Sequence, residues 1–129
     1  MKKLLLAALI APLALSAQNE FYNKGADIYI QKGALIHVQG SFTDENGSTN
    51  GIVKNDGIIE VKGDFRVAKD ATFQVFSDPT SKDRVVKFVG TGQQSILGDL
   101  SGAGTNSFYN IVIDKGAATD QVEVQTDVV

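Results

Sequence analysis

The feature of this 129-residue chain that most constrains its fold is an internal repeat with an offset of 23 residues. Residues 36–42 align with residues 59–65, and isoleucine, valine, glycine and phenylalanine recur at every second position. Alternate residues of an extended chain lie on one side, where a shared core constrains them. A second repeat, offset by eight residues, relates residues 25–31 to residues 33–39. Repeats of this kind predict stacked supersecondary units.

The sequence after residue 18 has the pattern of an all-β protein. No stretch has the apolar spacing of an amphipathic helix, and glycine recurs too often for long helices. Polar stretches rich in turn-forming residues predict loops at 43–51, 77–83 and 98–106. Segments in which β-branched or aromatic residues alternate with polar ones predict strands, and they cover residues 28–31, 36–39, 59–62, 73–75, 86–88, 111–113 and 122–125.

Together, the strands and repeats favour a short parallel β-solenoid. Glycines inside the strand pattern mark bends that would turn the chain from one face of a rung to the next. Rungs of roughly 20–25 residues would give about five coils, and a strand spacing of ~4.8 Å would make the stack ~25 Å long. A β-sandwich is the alternative architecture, because short, regularly spaced strands separated by turn signals also fit it.

Residues 1–17 have the pattern of a cleavable signal peptide. Lys2 and Lys3 are followed by an uncharged apolar run, and Ala17 precedes Gln18 at the predicted cleavage site. The apolar run is shorter than the roughly 20 residues that a transmembrane helix needs. We therefore expect residues 18–129 to be exported to the outer cell surface or the medium, with the periplasm as an alternative. Because the β pattern continues to the last residues, we also expect this domain to be the N-terminal part of a longer protein.

Composition narrows the classes of partner. The formal charge of −3 becomes −5 when Lys2 and Lys3 are removed with the signal peptide. Nucleic acid or an anionic membrane would instead require clustered lysine and arginine. We therefore expect no nucleic-acid partner and no membrane insertion of the mature chain. The sequence contains no cysteine, so the exported domain must fold without disulfides.

No motif predicts a catalytic, cofactor-binding or metal site. His37 is the only histidine, and its place on an alternating strand indicates a surface residue rather than a zinc ligand. Asp44, Glu45 and Asn46 supply the oxygen atoms that calcium prefers, but their spacing does not fit an EF-hand and indicates a solvated turn. Residues 90–95 contain part of a dinucleotide-binding fingerprint without a following helix, so their glycines are predicted to form turns.

Three carboxylates spaced four residues apart, Asp56, Glu60 and Asp64, offer an enzymatic alternative. Glycosidases work with pairs of acidic residues, and residues four apart share one side of a strand. Gly63 is expected to bend the chain between Glu60 and Asp64, which would separate them. We therefore predict a non-enzymatic protein and keep a fragment of a polysaccharide-active β-helix enzyme as an alternative.

The predicted cleavage site has the sequence Ser-Ala-Gln at 16–18, and residues 55–65 have the sequence NDGIIEVKGDF. Residues 88–96 have the sequence FVGTGQQSI, and FYNIVIDK follows at 108–115. Together these segments resemble the N-terminal β-solenoid region of large secreted cell-surface proteins of Bacteroidetes-type bacteria. The resemblance covers most of the mature chain. It implies export by the type IX route, which a C-terminal sorting domain directs, and it implies no catalytic residues.

The sequence thus predicts a non-catalytic, adhesin-like structural module that holds loops on a rigid solenoid. Tyr29, Tyr109, Gln31 and Gln39 are candidates to contact a surface glycan or protein. A self-assembling extracellular filament subunit, joined through open strand edges, is a further alternative.

Overall fold

The computed structural model describes residues 19–45, 51–68, 72–74, 84–98, 108 and 110–126. The predicted signal peptide, its cleavage site at Ala17 and Gln18, and most of the three predicted loops lie outside these ranges. Within them, the chain forms twelve β-strands and no helix, which confirms the all-β prediction. Accordingly, no helix in the described ranges is long and apolar enough to cross a membrane.

The strands form three parallel sheets. In spatial order, sheet 1 contains β1 (Phe21–Lys24), β4 (Phe42–Glu45), β7 (Phe65–Val67), β10 (Gln94–Gly98) and β12 (Val122–Thr126). Sheet 2 contains β2 (Ile28–Ile30), β5 (Ile52–Asn55) and β8 (Thr72–Gln74). Sheet 3 contains β3 (Leu35–Val38), β6 (Ile58–Val61), β9 (Val85–Gly90) and β11 (Asn110–Lys115).

From β1 to β10, successive strands along the chain belong to successive sheets, so the chain winds as a three-sided β-solenoid. This confirms the solenoid prediction and excludes the β-sandwich, whose sheets are antiparallel. The described residues form roughly three full coils rather than the expected five: three coils have a strand in all three sheets, and among the described strands only those of sheet 1 reach five levels. The later coils are longer than predicted, because residues 75–83 lie between β8 and β9 and residues 99–109 between β10 and β11.

The two sequence repeats correspond to two geometric steps of this solenoid. The 23-residue offset is the step between coils, since Ile36 pairs with Ile59 and Phe42 with Phe65 in parallel register. The eight-residue offset is the step between faces of one coil. Gly25 and Gly33, the two glycines of this repeat, lie at equivalent corners before β2 and β3, with φ angles of 76° and 80°. Such left-handed backbone favours glycine because it has no Cβ.

The core runs along the solenoid axis and is built from side chains that repeat from coil to coil. The rings of Phe21 and Phe42, and those of Phe42 and Phe65, stack with centroids 4.7 Å apart. That spacing matches the ~4.8 Å between strands. Phe65 meets Phe88 edge-on at 6.3 Å, and Ile96 takes the next level of the same column. Burying each such side chain stabilises the fold by about 1.5–3 kcal/mol relative to leaving it exposed.

Buried amide side chains satisfy the backbone at corners between the sheets. Asn55 is fully buried; it accepts a hydrogen bond from Gly57 N and donates one to Val85 O in the next coil. Gln94 is 2% exposed and donates to Val61 O of the coil below. These contacts fix one coil on another where the strand ladders are interrupted.

Among the described strands, the last level of the solenoid carries inward-facing apolar side chains that are exposed. Ile111 pairs in register with Val86, and Ile113 pairs with Phe88. Both lower residues are at most 1% exposed, whereas Ile111 and Ile113 are 44% and 58% exposed. Val124, the fifth member of the phenylalanine column, is 59% exposed. The described strands therefore end in an apolar surface with open strand edges, formed by Ile111, Ile113 and Val124 and called the C-terminal end surface below.

Candidate functional site

The outer face of sheet 3 carries a chain of charged side chains that crosses all four strands. His37 Nδ1 lies 2.9 Å from Glu60 Oε2, and Lys87 Nζ lies 3.6 Å from Glu60 Oε1. Lys87 then binds Asp114 at 2.8 Å, and this hydrogen bond raises the pKa of the lysine. The exposed position of His37 confirms its prediction as a surface residue of a strand. Lys87 is thus paired with two carboxylates, and these contacts link the coils.

Polar side chains next to this chain of charges are also engaged. Gln39 Nε2 lies 2.8 Å from His37 Nε2, and Lys62 Nζ donates to Gln39 Oε1 at 2.8 Å. Gln31 is exposed where the chain turns from sheet 2 to sheet 3, and Tyr109 lies outside the described residues. Among the predicted contact residues, Gln39, which directly follows β3, therefore has structural partners.

The three carboxylates considered for catalysis do not share one face. Asp56 lies at the corner between β5 and β6, where its Oδ1 is 3.4 Å from Nε of buried Arg84. Glu60 lies on the outer face of β6. Asp64 lies past the predicted bend at Gly63 and accepts a hydrogen bond from the Ser95 backbone at 2.8 Å. The predicted separation of Glu60 from Asp64 is confirmed, because β6 ends at Val61, before Gly63 and Asp64.

Residues 43–45 were predicted to begin a loop, but they belong to strand β4. The loop prediction was wrong for these three residues. Asp44 faces the interior and is 1% exposed. Its Oδ1 accepts a 2.8 Å hydrogen bond from Asn23, while its buried Oδ2 has no hydrogen-bond partner within the described part of the chain. Burial raises the pKa of Asp44 to about 6, and the Asn23 hydrogen bond opposes that rise.

Glu45, next in the chain, faces outward and accepts a 2.7 Å hydrogen bond from the Tyr22 hydroxyl, which raises the pKa of the tyrosine. Asp44 and Glu45 therefore lie on opposite sides of β4, and Asn46 lies outside the described residues. Among the residues whose placement is described, no three histidine or carboxylate groups come together as metal ligands.

The glycines of residues 90–95 form the turn between β9 and β10, as predicted. Gly90 and Gly92 have φ angles of 90° and 82°. The backbone N–H of Gly92 donates to Asp120 Oδ1 at 2.8 Å. The Gly92 peptide group is therefore bound to a side chain at the corner between β11 and β12, one coil later. Strand β10, rather than a helix, follows the turn.

A groove on the outer face of sheet 2 is the feature that best combines exposure with varied chemistry. It has a volume of about 270 Å³ and is lined by Asp27, Ile28, Tyr29, Ile52 and Lys54. Tyr29 is 59% exposed, and Lys54 Nζ lies 4.5 Å from the centre of its ring. The sequence drew attention to Tyr29 alone. Ile52 and Lys54 come from β5, which pairs with β2 at a step of 25 residues, and no identical residues indicate that register.

Comparison of the chain with known proteins gave no matching family model, no matching curated protein and no matching solved structure.

Proposed function

We propose that the protein is an exported, non-catalytic and adhesin-like β-solenoid module of the cell surface. The observation that carries this proposal is the parallel stacking of coils, which holds outer faces and corners in fixed register. Such stacks are rigid and present extended surfaces to partners. The charged side chains on the outer face of sheet 3 pair with one another between coils. They therefore contribute to the structure of the stack, as expected for a structural module.

The export part of the proposal is supported by the sequence of residues 1–17 and by the resemblance to Bacteroidetes-type surface proteins. On this basis, the mature chain begins at Gln18, travels by the type IX route and contacts a surface glycan or protein through its loops or a sheet face. Residues 43–51 and 98–107 are the loops that the solenoid would display.

Surface location is tested by inserting a tag after Val129 in the gene of the producing cell, so that any downstream sorting segment is kept, and by treating intact cells with protease. The proposal expects the tag to be cleaved and the N-terminal residue to be Gln18. Replacing Leu9 by Asp should retain the protein inside the cell, because a charge interrupts the apolar run that the export machinery recognises. The matched control is Leu35→Asp, which changes an exposed residue of the mature domain.

A protein that keeps residues 1–17 and is protected from protease in intact cells would refute surface location. The intact mass of the protein made by its own cell adds a second readout. A species containing only residues 18–129 would indicate a self-contained secreted protein, and a much larger one would indicate a stalk segment.

The C-terminal end surface favours a second candidate function, that of a self-assembling filament subunit. Exposed strand edges with apolar inward residues are templates for pairing with another chain, and head-to-tail contacts that do not close produce filaments. This candidate expects fibres that sediment from purified mature protein. Ile113→Lys should abolish them, because it places a charge in the pairing surface, while Tyr22→Lys on the outer face of sheet 1 should not. A monodisperse monomer at high concentration would exclude the filament.

A further inference from the structure

The groove on sheet 2 has an exposed aromatic ring at its centre. Tyr29 belongs to β2, which is the edge strand of sheet 2 and pairs only with β5 among the described strands. Lys54 reaches over the ring from β5, with its Nζ 4.5 Å from the ring centre. The tyrosine nevertheless remains 59% exposed. It therefore offers an aromatic surface beside a positively charged donor.

The remaining wall of the groove adds an apolar side chain and an acceptor. Ile52 is 38% exposed. Its backbone N–H donates to Asp27 Oδ1 at 3.0 Å, a hydrogen bond that anchors the carboxylate at the rim. Asp27 and Lys54 carry opposite charges, so the groove has no net charge. This balance suits a neutral ligand that has both hydrogen-bond donors and acceptors.

From this geometry we infer that the groove binds a neutral hexopyranose unit of a polysaccharide. A pyranose ring has an apolar C–H face, which fits the electron-rich ring of Tyr29, and hydroxyl groups around its edge. Lys54 donates to a hydroxyl oxygen, and Asp27 accepts from a hydroxyl group. Pockets with an apolar floor and a few placed polar groups are the usual form of small-ligand sites. The inference deepens the adhesin-like role and rests on it.

An acidic polysaccharide fits the groove less well. Its carboxylate would gain an ion pair with Lys54 but would be repelled by Asp27, which lines the same groove. It would also draw the Lys54 ammonium away from the Tyr29 ring, where a cation is attracted by the aromatic face. Neutral and acidic polymers therefore distinguish this groove from a simple cationic patch.

The test is affinity electrophoresis of the purified chain in gels that contain soluble β-1,3-glucan, hydroxyethyl cellulose or galactomannan, with polygalacturonate as the acidic comparison. We expect retardation by at least one neutral polymer. Tyr29→Ala should weaken that binding about tenfold, as expected for loss of an aromatic stacking surface. Tyr29→Phe should retain binding within about threefold, because the ring face is kept.

Tyr22→Ala is the matched control, because Tyr22 is 54% exposed on sheet 1 and lies outside the groove. It should bind like the unaltered protein. Retardation by no neutral polymer, equal binding after Tyr29→Ala, or tightest binding to polygalacturonate would each overturn the inference. Protease accessibility on intact cells is measured separately, so a protein that binds glucan but stays inside the cell would refute the surface role and leave the groove standing.

Discussion

The side-chain amide of Asn23 donates a 2.8 Å hydrogen bond to Asp44 Oδ1 across two coils, inside the solenoid. Asn23 also accepts from Ala26 N and donates to Ala26 O, so the same side chain stabilises the corner that follows β1. Asp44 has no comparable set of partners for its second oxygen within the described residues. The pair therefore holds the first two coils together while keeping a carboxyl group in an apolar interior, which favours its protonated form.

Burial of Asp44 should make the protein less stable at neutral pH than at mildly acidic pH. The unfolded chain releases this proton near pH 3.8, whereas the folded chain holds it until about pH 6. Stability from this group is therefore fully present below pH 3.8 and is lost as the pH rises through 6, by on the order of 2 kcal/mol. Urea unfolding at pH 4.5 and pH 7.5 measures the difference.

Asp44→Asn removes the titration and serves as the reference for other groups that titrate in the same range. The difference in unfolding free energy between the unaltered protein and this variant should change with pH in the stated direction. An unchanged difference between pH 4.5 and pH 7.5 would show that Asp44 is ionised in the folded protein.

Shortening the phenylalanine column should be most costly in its middle. Phe42 is fully buried between two stacked rings, so Phe42→Ala should destabilise the protein by about 3–5 kcal/mol. Phe21 ends the stack and is only partly buried, and Phe21→Ala should cost about half as much. Urea denaturation of both variants tests this order, and equal losses would contradict the stacked column.

Two glycines with left-handed backbone should respond differently to alanine. Gly33 has a φ of 80° and open space around an added Cβ, so Gly33→Ala should cost about 1–2 kcal/mol from backbone strain alone. Gly98 has a φ of 116°, and a Cβ there would collide with the Val67 carbonyl oxygen in the strand below. Gly98→Ala should therefore cost at least about 2 kcal/mol more. Thermal unfolding of the two variants measures this difference; similar midpoints would argue against the close approach of β7 and β10.

Of the ion pairs Asp56–Arg84 and Glu60–Lys87, the more buried one should contribute more to the free energy of unfolding. Asp56→Asn removes the carboxylate beside Arg84, which is 1% exposed, and should destabilise the protein by about 3 kcal/mol. Glu60→Gln removes a carboxylate beside Lys87, which is 27% exposed, and should cost less than about 1 kcal/mol. Urea unfolding at low and high salt compares them. A larger loss of stability for Glu60→Gln than for Asp56→Asn would contradict this prediction.

The fold could be predicted from the sequence where identical residues stack in adjacent coils. Ile36, Val38 and Phe42 face the core at positions whose partners one coil later are the same residues, because the apolar column repeats. The 23-residue offset therefore corresponds to the register of one strand pair in each of sheets 1 and 3, β4 with β7 and β3 with β6. The later coils could not be predicted in the same way, because Ile96 replaces phenylalanine at the fourth level and the segments between strands lengthen.

The predictions for polar residues were less successful, for a physical reason. Asp44 was assigned to a loop from the composition of its neighbours, whereas the strand continues through it with an interior partner. Asp56 and Glu60 were considered for one strand face because they are four residues apart, but Asp56 lies at the corner before β6. The bend that separates Asp64 from Glu60 was predicted correctly from Gly63. The groove around Tyr29 depends on a 25-residue step in sheet 2, and that step joins unlike residues.

The C-terminal end surface also affects the order in which the coils unfold. Each coil contacts mainly the coils directly above and below it, so cooperativity spreads by nearest neighbours rather than through one central nucleus. The terminal level has only one neighbour among the described strands, and its inward side chains are already hydrated. Fraying should start at β12 and β11 and advance coil by coil toward the Phe42 stack, which would exchange its amide hydrogens last.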